Sequence, residues 1–276
     1  MDHFSVDAYS PKEIASRIEN VGVSKSTSDP LRIFALSILA GSFIALGAIF
    51  FTVVTYDAAG VAAGLMRLLG GLVFCLGLIL VVVAGAELFT GNNLIVMAYV
   101  DGKVSLKQLL TNWGLVFVGN FIGALGILVL IYLSGHWQIG GGAVGAKVLA
   151  IANAKVNMTW VEAFTRGMLC NILVCMAVWL CFAGRTVVDK VLAILFPITA
   201  FVALGFEHSV ANMYFIPAGI LAKHHPELVQ LVGNMNLDNL TITSFLLDNL
   251  LPVTLGNIIG GSVFVGLFYW FIYLRD

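Results

Sequence analysis

Six long apolar stretches constrain this chain to a fold that spans a membrane. Each stretch is long enough to cross a hydrocarbon layer about 30 Å thick. They occupy approximately residues 31–56, 66–84, 109–133, 163–183, 191–220 and 250–274. Charged residues make up only 11% of the chain, whereas a soluble domain has about 25%. The sequence therefore predicts an all-α membrane protein with six transmembrane helices.

Lysines and arginines are divided unequally between the two sides of the membrane that these stretches define. The side that holds both termini receives nine. The opposite side receives five, which are Arg67, Lys147, Lys155, Arg166 and Lys223. Because basic residues favour the cytoplasmic side, both termini are predicted to be cytoplasmic in a multi-pass protein. The net charge of −1 leaves no basic surface for nucleic acid.

Residues 1–30 form a polar segment that precedes the first apolar stretch. Ile14, Ile18 and Val21 recur there at helical spacing between charged residues, which predicts a short amphipathic helix lying on the membrane surface. A solvated tail is the alternative. The remaining residues, 31–276, are predicted to form a single transmembrane domain.

A carboxylate and an imidazole interrupt the fifth apolar stretch, at Glu207 and His208. Such groups are costly in lipid unless they face a partner or a water-filled cavity. Gly205 and Asn212 flank them and predict an interrupted helix. Interrupted backbone is tolerated at this depth only where it lines a cavity or is buried in protein. This stretch is therefore the first candidate for a functional site.

The chain also contains an internal repeat. The pattern Gly-x-Glu-x4-Asn begins at residue 85 and again at residue 205, an offset of 120 residues. The pattern Asn-x6-Gly-Asn-x-x-Gly begins at Asn112 and again at Asn249, an offset of 137 residues. Three stretches lie in each half, approximately 31–133 and 163–276, and an odd number requires the second copy to be inverted. Inverted repeats with broken helices, here the second and fifth, are typical of transporters and channels. Close helix packing is an alternative explanation of the glycines in the second pattern.

These motifs resemble the formate/nitrite transporter family. The resemblance rests on GAELFTGN at 85–92, Asn112-Trp113 with Gly119-Asn120, GFEHSVANM at 205–213 and PVTLGNIIGG at 252–261, and it extends over essentially the whole chain. Within the family, the motifs look closest to the formate channels. The resemblance implies an aquaporin-like fold, although no Asn-Pro-Ala triplet occurs in the sequence. It also implies a homopentamer with one pore per subunit in a bacterial inner membrane.

The resemblance further implies which side chains surround the pore. His208 is expected at the centre, facing Thr90. Asn171, Val174 and Asn212 are expected nearby, where the two amides can donate hydrogen bonds to a carboxylate.

Two apolar constrictions and a charged vestibule are implied as well. The constrictions would contain Phe74, Leu78 and Phe201 on the outer side and Leu88 and Phe89 on the inner side. A narrow apolar slit around one polar site excludes hydrated cations and large solutes and admits a small weak acid. Lys155 would attract anions in the outer vestibule. The alternatives are ordinary core or lipid-facing residues and, for Lys155, a solvated loop charge.

Each interruption also provides a physical reason for anion binding. It leaves unpaired N–H groups at the start of the following half-helix, where the helix dipole adds partial positive charge. Glu87 and Glu207 would repel an anion there, so they are predicted to cap freed N–H groups or to pair with a donor. His208 can exchange a proton near neutral pH, so formate would cross as the neutral acid or as an anion beside an imidazolium. The alternative is a neutral His208 whose nitrogens are satisfied by neighbouring hydroxyl and amide groups.

The predicted function is a transmembrane channel or transporter for formate and related small monovalent anions, with proton coupling left open. A nitrite or hydrosulfide channel of the same family is the first alternative. A membrane-embedded enzyme that uses Glu207 and His208 as an acid–base pair is the alternative from another class. An enzyme is not the favoured prediction because the sequence shows no nucleophile–base pair, metal cluster or phosphate loop. No cofactor or metal is expected, and the four cysteines are interpreted as small buried hydrophobes.

Overall fold

The computed structural model describes residues 8–57 and 60–275, and all regular secondary structure within these ranges is helical. In chain order the helices are α1 (Pro11–Thr27), α2 (Pro30–Thr55), α3 (Ala63–Ala84), α4 (Phe89–Asn92), α5 (Val96–Val100), α6 (Leu106–Leu133), α7 (Ala143–Val156), α8 (Trp160–Ala183), α9 (Val187–Ala203), α10 (Ser209–Ala222), α11 (Pro226–Leu231) and α12 (Ile242–Tyr273). Single 3₁₀ turns lie at Asn93–Ile95 and His136–Gln138. The last helix contains two π-helical segments, Phe245–Leu250 and Ser262–Leu267.

Five of the described helices are long and apolar enough to cross a membrane: α2, α3, α6, α8 and α12. They coincide with five of the six predicted stretches. The predicted fifth stretch is instead divided between α9, with 17 residues, and α10, with 14. The prediction of an all-helical membrane protein with several apolar helices is confirmed.

Capping boxes determine where four of these helices begin. In each box a hydroxyl accepts the third backbone N–H of the helix, while the side chain three residues later accepts from the capping residue. The pairs are Ser10 with Glu13 for α1, Ser105 with Gln108 for α6, Thr159 with Glu162 for α8, and Thr186 with Asp189 for α9. Each box thereby fixes the residue at which the preceding connection ends and the helix begins.

Two glycines end the helices that precede the short half-helices. Gly85 follows α3 with φ of 82°, and Gly205 follows α9 with φ of 72°. Any other L-residue is strained in this left-handed region, so a glycine favours the helix end at each point. Extended residues follow, with φ of −107° at Leu88 and −112° at His208, immediately before α4 and α10 begin.

Glycines of the second repeated pattern lie where two pairs of helices approach closely. A Cβ atom on Gly119 or Gly123 of α6 would overlap α2, at Ser37 and Ile38 respectively. A Cβ atom on Gly256 or Gly260 of α12 would overlap the backbone of α8. Small residues allow such contacts between membrane helices. Close packing, the alternative considered for these glycines, is therefore the role that the structure gives them.

Helix α1 packs on the other helices through its apolar face. Ile14 and Ile18 are buried, and they pack in one apolar cluster with Leu94, Met97 and Trp179. The apolar face of the predicted amphipathic helix thus contacts the protein's own helices, and its position at the membrane surface stays a prediction. Helix α1 covers one end of the helical bundle.

Candidate functional site

The predicted central pair is in direct contact. His208 Nε2 lies 2.9 Å from Thr90 Oγ1, and both side chains are buried. His208 is also the N-cap residue of α10, because its Nδ1 accepts a hydrogen bond of 3.1 Å from the backbone N–H of Ala211. A ring nitrogen that accepts carries no proton, so the neutral ring is protonated at Nε2 and donates to Thr90. This geometry matches the alternative in which hydroxyl and amide groups satisfy a neutral His208.

The Thr90 hydroxyl group retains a proton to donate. Its oxygen accepts the hydrogen bond from His208, and a hydroxyl group can also donate one. No acceptor for that proton is found among the residues that the structure describes. The central pair therefore presents a hydrogen-bond donor, which is what an anion requires.

Aromatic rings enclose the pair on one side. Phe201 stacks on His208 with ring centroids 5.9 Å apart, and Phe74 meets Phe201 edge to face at 5.7 Å. Val174 of α8 is buried in the same apolar core. The imidazole therefore lies in a mainly apolar environment, where an unpaired polar group would be costly.

Two cavities lie at the two helix interruptions. The one that we call the Lys155 cavity has a volume of about 250 Å³, and its lining includes Phe74, Lys155, Phe201, Glu207 and His208. The one that we call the Lys25 cavity has a volume of about 300 Å³, and its lining includes Lys25, Leu78, Glu87, Leu88 and Asn92. These cavities share no lining residue, and Thr90 lines neither. His208 lines the Lys155 cavity, and Leu88 and Gly91, on either side of Thr90 in the chain, line the Lys25 cavity, so the Thr90–His208 contact lies between the two.

The predicted constriction residues divide differently between the cavities. Phe74 and Phe201 line the Lys155 cavity, but Leu78, which lies one turn after Phe74 in α3, lines the Lys25 cavity. Phe89 lines neither, because its ring packs against Phe117 with centroids 5.0 Å apart. The structure therefore pairs Leu78 with Leu88.

Both glutamates of the interruptions are held by a lysine and an asparagine. Glu207 Oε1 accepts from Lys155 Nζ at 2.7 Å, and its Oε2 accepts from Asn212 Nδ2 at 2.7 Å. Glu87 Oε2 accepts from Asn92 Nδ2 at 2.7 Å and lies 3.1 Å from a second lysine. Of the two roles predicted for the glutamates, the structure shows pairing with donors.

Two other asparagines cap the freed N–H groups. The Oδ1 atom of Asn120 accepts from Phe89 N at 2.9 Å, and that of Asn257 accepts from Ser209 N, also at 2.9 Å. Their Nδ2 atoms donate to the backbone oxygen of the glutamate at the same interruption. Sequence reasoning identified both asparagines as repeat positions but assigned them no role. Their recurrence in matching motifs was the signal that could have indicated one.

The amides of Asn171 and Asn212 are already occupied. Asn171 Nδ2 donates to the backbone oxygens of Thr90 and Asn257 at 3.2 and 2.7 Å. Asn212 Nδ2 donates to Glu207. Both side chains are close to the central pair, as expected, but they brace the surrounding helices. Binding of a carboxylate by either amide would require these bonds to be exchanged.

Lys25 is the functional candidate that sequence reasoning missed. Its Nζ donates to Asn92 Oδ1 at 2.7 Å and lies beside Glu87, while its backbone oxygen accepts from Asn112 Nδ2 at 3.2 Å. Lys155 has two of these contacts at its own interruption: its Nζ donates to Glu207 at 2.7 Å, and its backbone oxygen accepts from the Asn249 amide at 2.9 Å. Lys25 lies in α1, which had been placed outside the repeat, so no pattern indicated its partner.

Comparisons with known proteins agree on one family. A family model described as formate/nitrite transporter matches residues 12–271. The formate channel FocA of Escherichia coli (strain K12) is 44% identical over 274 residues, which cover 98% of this chain and 96% of that protein. The probable formate transporter of Methanothermobacter thermautotrophicus is 40% identical over 283 residues, which cover 97% and 98%. Because these relatives are named as channels and transporters, the prediction that the chain is not an enzyme is confirmed.

Solved structures give the same result. One described as a pentameric formate channel with formate bound has a TM-score of 0.83 and 43% identity, covering 89% of this chain and 98% of the other. The aquaglyceroporin from Plasmodium falciparum has a TM-score of 0.50 at 16% identity, which indicates a distant likeness in fold alone. As its motifs predicted, the chain belongs to the formate/nitrite transporter family.

Proposed function

We propose that this protein is a formate channel of the bacterial inner membrane, which conducts formate and similar small monovalent anions. The observation that carries the proposal is the buried Thr90–His208 contact, placed between two cavities that open at helix interruptions. Its relatives are named as formate channels, and one similar structure is described as pentameric with formate bound. The protein accordingly acts as a homopentamer with one pore in each subunit.

The proposed architecture has six spans in two inverted repeats, with broken second and fifth spans. The second span comprises α3 and α4, and the fifth comprises α9 and α10. Matching side-chain contacts support this assignment: a lysine and an asparagine hold Glu87 as another such pair holds Glu207, and an asparagine caps each half-helix. The repeats include α1 and α7 as well as the approximate ranges 31–133 and 163–276. Both termini lie in the cytoplasm, on the side of Lys25.

The proposed path begins in one cavity, passes the central pair and ends in the other cavity. The outer constriction is formed by Phe74 and Phe201, and the inner one by Leu78 and Leu88. An anion loses its water against these apolar side chains and gains a hydrogen bond from the Thr90 hydroxyl group. A hydrated cation gains less, because the central pair offers it no charged oxygen and the Thr90 oxygen already accepts from His208.

Neutral His208 has a positioning role in this proposal. Its Nε2–H donates to Thr90 Oγ1 and so turns the hydroxyl proton towards the path, while its Nδ1 holds the start of α10. Proton-linked passage would require protonation of Nδ1 and loss of the bond from Ala211. The contacts therefore favour passage of an anion that accepts a hydrogen bond from Thr90. Proton transfer through His208 is disfavoured, because it would break the hydrogen bond from Ala211.

Flux into vesicles that contain the purified protein tests this function. Formate, nitrite and hydrosulfide are presented separately, and we expect formate to enter fastest. Current measured with formate on both sides separates charged passage from neutral passage. Vesicles that remain impermeable to formate would contradict the proposal, and faster nitrite or hydrosulfide flux would assign the channel to that substrate instead.

A further inference from the structure

Charged side chains line the two cavities in unequal numbers. The Lys155 cavity is lined by Lys155, Arg166 and Glu207, and the Lys25 cavity by Lys25 and Glu87. In each cavity the lysine is paired with the glutamate, at 2.7 and 3.1 Å. Each of these pairs is neutral as a unit. Arg166 therefore gives the Lys155 cavity one positive charge that the Lys25 cavity lacks.

This difference lies at corresponding positions of the two repeats. The backbone oxygen of Arg166 accepts from Glu207 N at 3.2 Å, and the backbone oxygen of Leu36 accepts from Glu87 N at the same distance. Leu36 precedes Arg166 by 130 residues, as Lys25 precedes Lys155. Helix α8 thus carries an arginine where α2 carries an uncharged leucine.

Among the described residues, Glu162 is the one acidic side chain within 4.0 Å of the guanidinium group of Arg166. Its Nη2 lies 3.9 Å from Glu162 Oε1, and the side chain remains 42% exposed. The other oxygen of Glu162 caps α8 by accepting from Thr159, and Glu162 does not line the cavity. A guanidinium group carries five donors and can bind a carboxylate through two of them. Donors of Arg166 therefore remain available to an anion in the cavity.

We infer that Arg166 concentrates formate at the face of the protein that holds the Lys155 cavity. This inference rests on the proposed function. The Lys155 ammonium group, predicted for this role from resemblance, is held by Glu207, so Arg166 supplies the excess charge. A concave surface with an excess of one sign of charge raises the local concentration of the opposite ion. Formate should therefore half-saturate uptake at a lower concentration from this face than from the Lys25 face. For a passive pore, the limiting permeability at low formate must still be equal in both directions.

The test measures initial formate uptake in right-side-out and inverted membrane vesicles. Wild type is compared with Arg166→Leu, with Arg166→Lys and with Arg67→Leu. The last variant is a matched control, because Arg67 is exposed on the same predicted side but lines neither cavity. At an ionic strength of about 10 mM, Arg166→Leu should raise the half-saturating concentration from one face about two- to fivefold. At about 0.5 M salt, the difference in half-saturating concentration between wild type and Arg166→Leu should disappear.

Each outcome distinguishes this inference from the proposed function. Wild-type vesicles that take up no formate would overturn both. Conducting wild type together with an unchanged Arg166→Leu variant would overturn the role of Arg166 alone. An equal rise in the half-saturating formate concentration from both faces would also overturn that role, because it would indicate a general distortion of the pore. A rise confined to one face, absent in Arg67→Leu and largely reversed in Arg166→Lys, is the expected result.

Discussion

The hydroxyl group of Thr90 is held between the imidazole of His208 and the proposed path, so its contribution can be isolated. Thr90→Val removes the donor at nearly constant volume, whereas Thr90→Ser keeps it. A hydrogen bond to a charged group contributes about 1.5–3 kcal/mol, so Thr90→Val should lower formate flux about tenfold or more. Flux into vesicles is the measurement, with pentamer assembly checked by size. A valine variant that conducts as wild type does would contradict the assigned role.

Two substitutions of His208 distinguish the contact made by its Nδ1 from the contact made by its Nε2. Asparagine can still accept the backbone N–H of Ala211 as an N-cap, but it lacks the ring that reaches Thr90. His208→Phe loses both contacts. We expect both variants to lose most formate flux, while only His208→Phe is destabilised, by about 1 kcal/mol. Thermal unfolding in detergent measures the second effect. Equal stability of the two variants would show that the cap contributes little.

At the scale of helices, the interruption in the fifth predicted stretch depends on the backbone of Gly205. A Cβ atom there would meet no heavy atom within 4 Å, but φ is 72°. Gly205→Ala should therefore destabilise the protein by about 1–2 kcal/mol through backbone strain alone. Gly114→Ala in α6 is the control, since its Cβ also meets nothing and its backbone is helical. That variant should be stabilised by up to about 1 kcal/mol. Thermal midpoints compare the two, and a stabilised Gly205→Ala would contradict the strain.

The start of α1 should be sensitive to acid. The side chain of Ser10, followed by its backbone N–H, holds the pKa of Glu13 below its usual value. A lowered folded-state pKa means that the stabilisation is complete above the unfolded value, about 4.3, and is lost as the pH falls through the folded value. Hydrogen-exchange protection in the first turn of α1 should therefore decrease when the pH is lowered below about 4. The first turn of α6 has the same box with Gln108, which does not titrate, and provides an internal control. Equal loss of protection in both turns would contradict the prediction.

At the scale of the whole molecule, each end has a lysine–glutamate pair of similar geometry. Removing only the lysine leaves a buried carboxylate without its counter-charge, which costs about 3–5 kcal/mol. We therefore expect Lys25→Met and Lys155→Met each to be strongly destabilised. Combining either with the matching Glu87→Gln or Glu207→Gln should restore most of the loss. Double-mutant cycles on thermal unfolding measure this coupling. If the losses of stability in the two single variants simply add in the double variant, the lysine and the glutamate are not coupled.

The sequence predicted the membrane class, most helices and the family, because apolar length and polar interruptions are local properties. Glu207 and His208 were conspicuous because such groups are rare in an apolar stretch. Lys25 was not, since a lysine in a polar tail is ordinary and its contact with Glu87 exists only after α1 packs on the bundle. Phe89 could not be oriented for a similar reason, because only the folded chain places its ring against Phe117. The capping role of Asn120 and Asn257 likewise required the path of the backbone at each interruption.

The lysine that balances Glu87 comes from α1, the segment before the first span, and it lines the cavity at that interruption. A chain shortened to begin near Pro30 would lose this lysine together with α1. The Lys25 cavity would then present the bare carboxylate of Glu87 to every approaching anion. Part of the charge selectivity of the channel therefore depends on a segment that precedes its spans.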